Sequence, residues 1–311
     1  MYSPIPGYAE LHCLSNFSFL RGASRPDELV QRASALGYSA LALTDECSLA
    51  GAVRAHEAAK DPGLKLIVGS EVQLQNGPKL VILAADRESY GCLSELISCG
   101  RRRTRKGSYA LHWADLDSGM PGCLVLLAPP PLVSGSERAK QACAVAERFA
   151  GRSWIAAELL CGPNDRARLD GLRELASASG MPLVAAGDVH MHQRSRRPLQ
   201  DALTAIRVGR PVHSCGHALH PNAERHLRMR MRLAQLYPAD LLTETVKIAE
   251  RCNFSLEELR YEYPEELIPS GQTPTSYLRM LVEEGCRGRF PQGAPGAVRE
   301  LIEREIGRAH V

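Results

Sequence analysis

Short apolar runs that stop abruptly at polar residues recur along the first part of the chain. Leu41-Ala42-Leu43 ends at Thr44-Asp45, and Leu64–Val72, Leu80–Ala84, Leu124–Leu127, Trp154–Glu158 and Pro182–Ala186 read as further strands. Between them the apolar residues fall at helical spacing, around Ala50–Lys60, Arg87–Ser98, Glu137–Phe149 and Arg166–Ser179. The stretch SRPDELVQRASALG carries Ser24 three residues ahead of Asp27, Pro26 in the first turn and Gly37 at the end, which mark a capped helix. Strands alternating with helices of this length predict a parallel sheet with crossover helices. Six or seven such units within roughly 190 residues favour a closed α/β barrel over an open sheet.

After His190 the pattern changes to helices and loops, with Leu199–Ile206, Ala239–Arg251 and Thr275–Gly285 as helices and Glu257–Pro274 as a proline-rich acidic connector. The expected division is therefore 1–195 for the barrel and 196–311 for a mainly helical region. Composition adds little: 311 residues with 44% hydrophobic and 23% charged describe a folded protein rather than a disordered or fibrous one. No apolar run reaches the ~20 residues of a membrane span. The start, MYSPIPGYAELHC, lacks the basic-then-apolar pattern of a secretory signal. Ten Cys at irregular spacing, with no C-x-x-C pair, read as reduced thiols, and the expected location is the cytoplasm.

Charge placement changes the picture more than the total of +3. Nine Arg between Arg194 and Arg232 stand against only Asp201 and Glu224, and a second basic run covers Arg101–Lys106. Such clusters either neutralise nucleic acid phosphates or form a solvated face, and charge alone does not choose. Arg225, Arg228, Arg230 and Arg232 are the candidates for nucleic acid contact.

In a parallel barrel the chemistry sits at the C-terminal strand ends. Those ends carry His12, Asp45, Glu71, Glu158, Asp188 and His190. Imidazoles and carboxylates together suit Zn²⁺, Mn²⁺ or Fe, and convergence from several strands is the layout of a metal hydrolase. Taken singly, each acid is equally a helix cap and each His a local hydrogen-bonding group. His213, Cys215, His217 and His220 lie close together but match no zinc-finger spacing. Asp115-Leu116-Asp117 reads as surface capping, Cys13 and Cys47 lack a base partner, and Trp113 and Trp154 read as core.

The stretches LHCLSNFSFLRGAS (Leu11–Ser24), ALTDECSLAG (Ala42–Gly51), VGSE (Val68–Glu71) and AAGDVH (Ala185–His190) resemble the PHP domain that opens bacterial C-family DNA polymerases. The resemblance continues through HALHPNAERHLR (His217–Arg228) and YEYPEELIPSGQTPTSYLRMLVEEG (Tyr261–Gly285), and its details are most similar to the error-prone branch. It implies a distorted PHP-type (βα)7 barrel, then the mainly α-helical start of the polymerase region. It also implies up to nine metal ligands, retained here only at His12, Asp45, Glu71, Asp188 and His190. Leu14, Glu46, Lys79 and Pro129 stand where His, His, His and Cys are expected. Leu14 has no donor atom, and an ammonium at Lys79 repels a metal ion. The expectation is a degenerate, structural site in which Lys79 serves as counter-charge to Asp45, Glu71 and Asp188, with Zn²⁺ or Mn²⁺ left open.

By the same resemblance the parent enzyme uses Mg²⁺, DNA and deoxynucleoside triphosphates. A sliding clamp and accessory mutagenesis proteins would be its partners, and its catalytic aspartates would lie beyond this stretch. The other reading is a metal-dependent phosphoesterase or proofreading nuclease; a free-standing DNA-binding module around Arg194–Arg232 is a third. The tail Glu305–Val311 resembles a translated sequencing-adapter read, which would make it an artefact and the chain incomplete.

Overall fold

The computed structural model describes residues 5–129, 135–259 and 268–308. Seven strands form one sheet in chain order: β1 (Ala9–Glu10), β2 (Ala40–Leu43), β3 (Lys65–Gln73), β4 (Lys79–Leu83), β5 (Leu124–Leu127), β6 (Ser153–Glu158) and β7 (Leu183–Ala186). The ring closes just beyond the named strands, where Cys13 bridges Val189 in parallel register. There Leu14 donates its N–H to the Val189 carbonyl at 2.8 Å, and Val189 donates to His12 at 2.9 Å. The expected PHP-type barrel is therefore present, nearly closed.

One expectation fails. The sheet is not wholly parallel, because β4 runs antiparallel to both β3 and β5. The segment Leu74–Pro78 is too short for a crossover helix, and Asn76 at φ +53° turns the chain back as a hairpin. The reversal matters for the site: β4 presents its first residue, Lys79, at the end where its neighbours present their last.

Alternate residues of the strands form one inner cluster that includes Ala9, Ala42, Ile67, Val81, Leu126, Trp154, Ala156 and Val184. The other face packs against helices α1 (Pro26–Ala35), α2 (Ala52–Lys60), α3 (Arg87–Arg102), α4 (Gly135–Arg148) and α5 (Asp165–Ser179). Both faces are buried, which is why these strands read as continuous apolar runs. Helix α1 starts at Pro26 as expected, but Arg25 is its N-cap residue and Glu28 accepts the Arg25 N–H at 2.9 Å. Ser24 is occupied elsewhere, with its Oγ 2.7 Å from His192 Nδ1.

The helices between the pattern change and Leu259 also belong to the barrel unit. Helix α6 (Arg197–Val208) places Gln200 and Thr204 over the C-terminal strand ends, and the short α7 spans Arg230–Leu236. Helix α8 (Ala239–Arg251) inserts Ile248 and Ala249, with Cys252 just after it, into the inner cluster at the opposite end. Thr245 Oγ1 accepts the Ala9 N–H at 3.0 Å, and Trp154 Nε1 donates to Glu244 at 3.0 Å. The first compact unit accordingly spans Met1–Leu259.

A second unit, Arg260–Val311, contains α9 (Pro274–Arg289) and α10 (Gly296–Arg308). Thr273 caps α9 through the Ser276 N–H, and Arg279 grips Glu303 with two hydrogen bonds of 2.6 and 2.8 Å. Residues 260–267 of the expected connector, including the YEYPEEL motif, and the last three residues of the tail lie outside the described residues.

Because Ile248 is fully buried against the barrel interior, Ile248→Ala should destabilise the first unit by about 2–4 kcal/mol, as core truncations do. Chemical denaturation with an unchanged midpoint would show that α8 is not the barrel's plug.

Candidate functional site: a buried charge network at the strand ends

The inward face that carries Ile67, Val81, Leu126, Ala156 and Val184 continues upward, with period two, to Glu71, Lys79, Glu158 and Asp188. His12 joins them from the segment just after β1. The imidazole is completely buried, with Nδ1 2.9 Å from Glu158 Oε1 and Nε2 2.8 Å from Glu71 Oε2. An ionised carboxylate only accepts, so with Glu71 and Glu158 ionised both ring nitrogens donate and the ring is an imidazolium. Burial favours its neutral form, but the bonds to Glu158 and Glu71 outweigh that and raise its pKa. For the partners burial opposes ionisation, and the His12 bond reverses it: Glu71 falls well below the ordinary range and Glu158 to about 2.

Three fixed cations complete the network. Lys79 Nζ lies 3.2 Å from Glu71 Oε2. Arg21 Nη1 lies 2.6 Å from both Glu71 Oε1 and Glu46 Oε2. Arg225 pairs with Asp188 Oδ2. Tyr109 donates its hydroxyl to Glu46 at 3.1 Å. These groups surround a cavity of about 520 Å³ that also exposes Gln73, Gln200, Arg207 and His220.

The five expected ligands divide. His12, Glu71 and Asp188 gather donor atoms within 4.8 Å of one another, a group able to surround one ion. His190 stands beside them, but its Nε2 is 3.0 Å from Asp188 Oδ1 and its Nδ1 2.8 Å from Gln200 Nε2. With Gln200 donating to Nδ1, the proton sits on Nε2 and goes to Asp188; burial, then the Arg21 charge, keep this ring neutral. Asp45 points away. Its carboxylate accepts the N–H and the hydroxyl of Ser15 (2.8 and 2.7 Å) and of Ser18 (3.1 and 2.7 Å), so it pins the loop after β1.

That arrangement does not fit a polynuclear metal centre. Glu71 and Asp188 each already face a fixed cation, Leu14 offers no donor atom, and Lys79 places an ammonium where the resemblance expects a ligand. The expected pairing of Lys79 with Asp45 and Asp188 is corrected as well. Lys79 reaches Glu71, whereas serines serve Asp45 and Arg225 serves Asp188.

The arginine cluster is also corrected. Arg225 turns into the cavity, and Arg228 is buried, with Nη1 donating to the Leu159 carbonyl at 2.8 Å. Arg194 pairs with Glu224, Arg196 with Glu28 and Arg197 with Asp201. Of the four nucleic acid candidates, Arg232 is exposed, Arg230 and Arg225 are half-buried, and Arg228 is buried. In the other run, Arg101 and Arg102 close α3, Arg101 donates to the Cys47 and Glu46 carbonyls, and Arg103 pairs with Asp115. His213 and His217 are exposed while His220 stacks edge-on against His190, so the four residues His213, Cys215, His217 and His220 do not gather into a metal site. Burial raises the Cys13 and Cys47 thiols, which removes them as nucleophiles.

Arg21 was not anticipated as a site residue. Its partners Glu46 and Glu71 are 25 and 50 residues away, and the only local sign was a lone basic residue beside Gly22 in the first motif.

Residues 10–129 match the PHP domain family, and the chain carries a PHP domain. Over nearly its whole length it is related to error-prone DNA polymerases. It is 59% identical to the Dechloromonas aromatica enzyme over 97% of this chain and 30% of that protein. With the Pseudomonas aeruginosa enzyme it shares 54% identity over 96% and 28%, and with that of Bordetella parapertussis 52% over 98% and 30%. The chain thus spans about a third of the length of these curated relatives. Among solved structures, an amidohydrolase from Chromobacterium violaceum aligns with a TM-score of 0.45 at 18% identity, over 59% of this chain and 88% of its own.

The His12 pKa is raised in the fold, so its contribution to stability is complete below the unfolded value of about 6.5 and fades as pH climbs through the folded one. The Glu158 contribution is present above about pH 4.3 and fades toward pH 2. A melting-temperature profile should fall on both sides of this window. His12→Gln should cost roughly 3–5 kcal/mol by leaving the Glu158 carboxylate without its cation, Glu71 keeping Arg21 and Lys79, and should abolish the alkaline limb. An alkaline limb of unchanged size in the variant would refute a charged His12.

Proposed function

We propose that the chain is the N-terminal part of an error-prone, DNA-directed DNA polymerase acting in damage-induced mutagenesis and translesion synthesis. Residues 1–195 would be its PHP domain, and 196–311 the linker and start of its polymerase region. The observation that carries this is identity above 50%, spread over nearly the whole chain, to several polymerases of that name. The parent reaction is Mg²⁺-dependent, template-directed nucleotidyl transfer from deoxynucleoside triphosphates, with its metal-binding aspartates supplied by other parts of the polypeptide. The PHP barrel itself is structural. The cations Arg21, Lys79 and Arg225 set against Glu71 and Asp188 support that role over hydrolysis.

DNA, a sliding clamp and accessory mutagenesis proteins are the partners this reading assigns, in the cytoplasm. Among the described residues no helix is long and apolar enough to cross a membrane. Arg230 and Arg232 remain the surface candidates for DNA. A second reading, a phosphoesterase or proofreading nuclease with one Zn²⁺ or Mn²⁺, draws on the gathered donors of His12, Glu71 and Asp188.

Primer-extension assays separate these. The full polypeptide containing this chain should extend a primer across a template lesion with Mg²⁺, and the 311-residue chain alone should not. A full polypeptide inert on primed DNA would contradict the polymerase reading. Phosphatase or exonuclease activity of the isolated chain with stoichiometric Mn²⁺ or Zn²⁺ would favour the second.

A further inference from the structure

We infer that Arg21, Lys79 and Arg225 are a built-in cation set that balances the charge a bound metal would otherwise balance, and that the loop Ser15–Gly22 is shaped to deliver Arg21. The inference rests on the structural reading of the barrel. Arg21 Nη1 bridges one oxygen each of Glu46 and Glu71, at 2.6 Å to both, which is the bridging role of a cation between two acidic ligands. Lys79 approaches the other Glu71 oxygen and Arg225 the outer oxygen of Asp188. The acidic groups facing the cavity are Glu46, Glu71 and Asp188, and each has a fixed cation against it.

The loop has the marks of an arm held in one place. Asp45, a ligand type at a ligand position, spends both oxygens on Ser15 and Ser18. Leu20 adopts φ +59°, a conformation that side-chain-bearing residues rarely take. At Gly22 a Cβ would lie 2.0 Å from the Ser15 carbonyl oxygen, so only glycine lets the loop close on itself. Between those two residues Arg21 runs inward, with 17% of its side chain exposed. The acidic residue just after β2 thus holds the loop that supplies the cation.

Removing the cations should expose the latent anionic cluster to divalent metal. The test uses the whole chain, with Lys79→Met, the double variant Arg21→Met/Lys79→Met, and wild type. Each is dialysed against MnCl₂, then against metal-free buffer for metal analysis, and melted with MnCl₂ or EDTA. Wild type should hold no stoichiometric manganese and melt identically in both. The double variant should retain manganese and melt about 5 °C or more higher with MnCl₂ at ~100 times its Kd.

If the double variant does not fold, Lys79→Met carries the same comparison, since Lys79 makes a single ion pair and is a quarter exposed. Stoichiometric manganese in wild type overturns the inference, and so does failure of both variants to take up metal. Neither result touches the polymerase reading, which stands or falls on primer extension.

Discussion

A fully buried imidazolium clasped by two carboxylates is the interaction on which the rest of this structure depends. Isolated charges at the top of a barrel interior are costly to bury, and each must find an opposite charge or lose its own. His12 between Glu71 and Glu158 begins an alternation of sign, continued by Arg21 and Lys79 at Glu71 and by Arg225 at Asp188. Removing His12 leaves Glu158 uncompensated and removing Arg225 does the same to Asp188, whereas Glu71 is held by three cations. The network therefore holds the strand ends together, and it makes the site unwelcoming to a metal ion for the same electrostatic reason.

The fold supplies these charges from unlike sources. Strand β3 brings Glu71, β6 brings Glu158 and the segment after β7 brings Asp188, all at C-terminal ends. Lys79 reaches the same level only because β4 runs backwards. Arg21 comes from a loop tied down by Asp45, and Arg225 from the extended chain that crosses the rim after α6. At the other end α8 closes the interior with Ile248 and Ala249. Helices that follow the change of sequence pattern near residue 195 thus belong to the same compact unit as the strands.

Much of this was legible in the residues. Strands β2 to β7 stood out because both faces are buried and their apolar runs are unbroken, whereas β1 is two residues long and carries the buried polar Glu10. The reversal of β4 has its sequence signal in Asn76-Gly77, a hairpin dipeptide set among strand–helix alternation. At the site, position in the chain located the strand-end groups but not their jobs. Asp45 kept its residue type while its oxygens turned to serines. Counting charge could not distinguish an arginine facing solvent from Arg225 or Arg228 facing inward. Arg21 left no trace because its partners are distant in sequence and a single arginine has no periodicity.

The central claim is that charge balance in this PHP barrel is internal, with His12 a cation rather than a metal ligand. Its most direct test is a long-range proton–nitrogen NMR spectrum of the His12 ring at neutral pH, assigned by comparison with His12→Gln. The account predicts that both ring nitrogens are protonated and unchanged by EDTA. A single unprotonated nitrogen, or a resonance displaced when metal is removed, would contradict it.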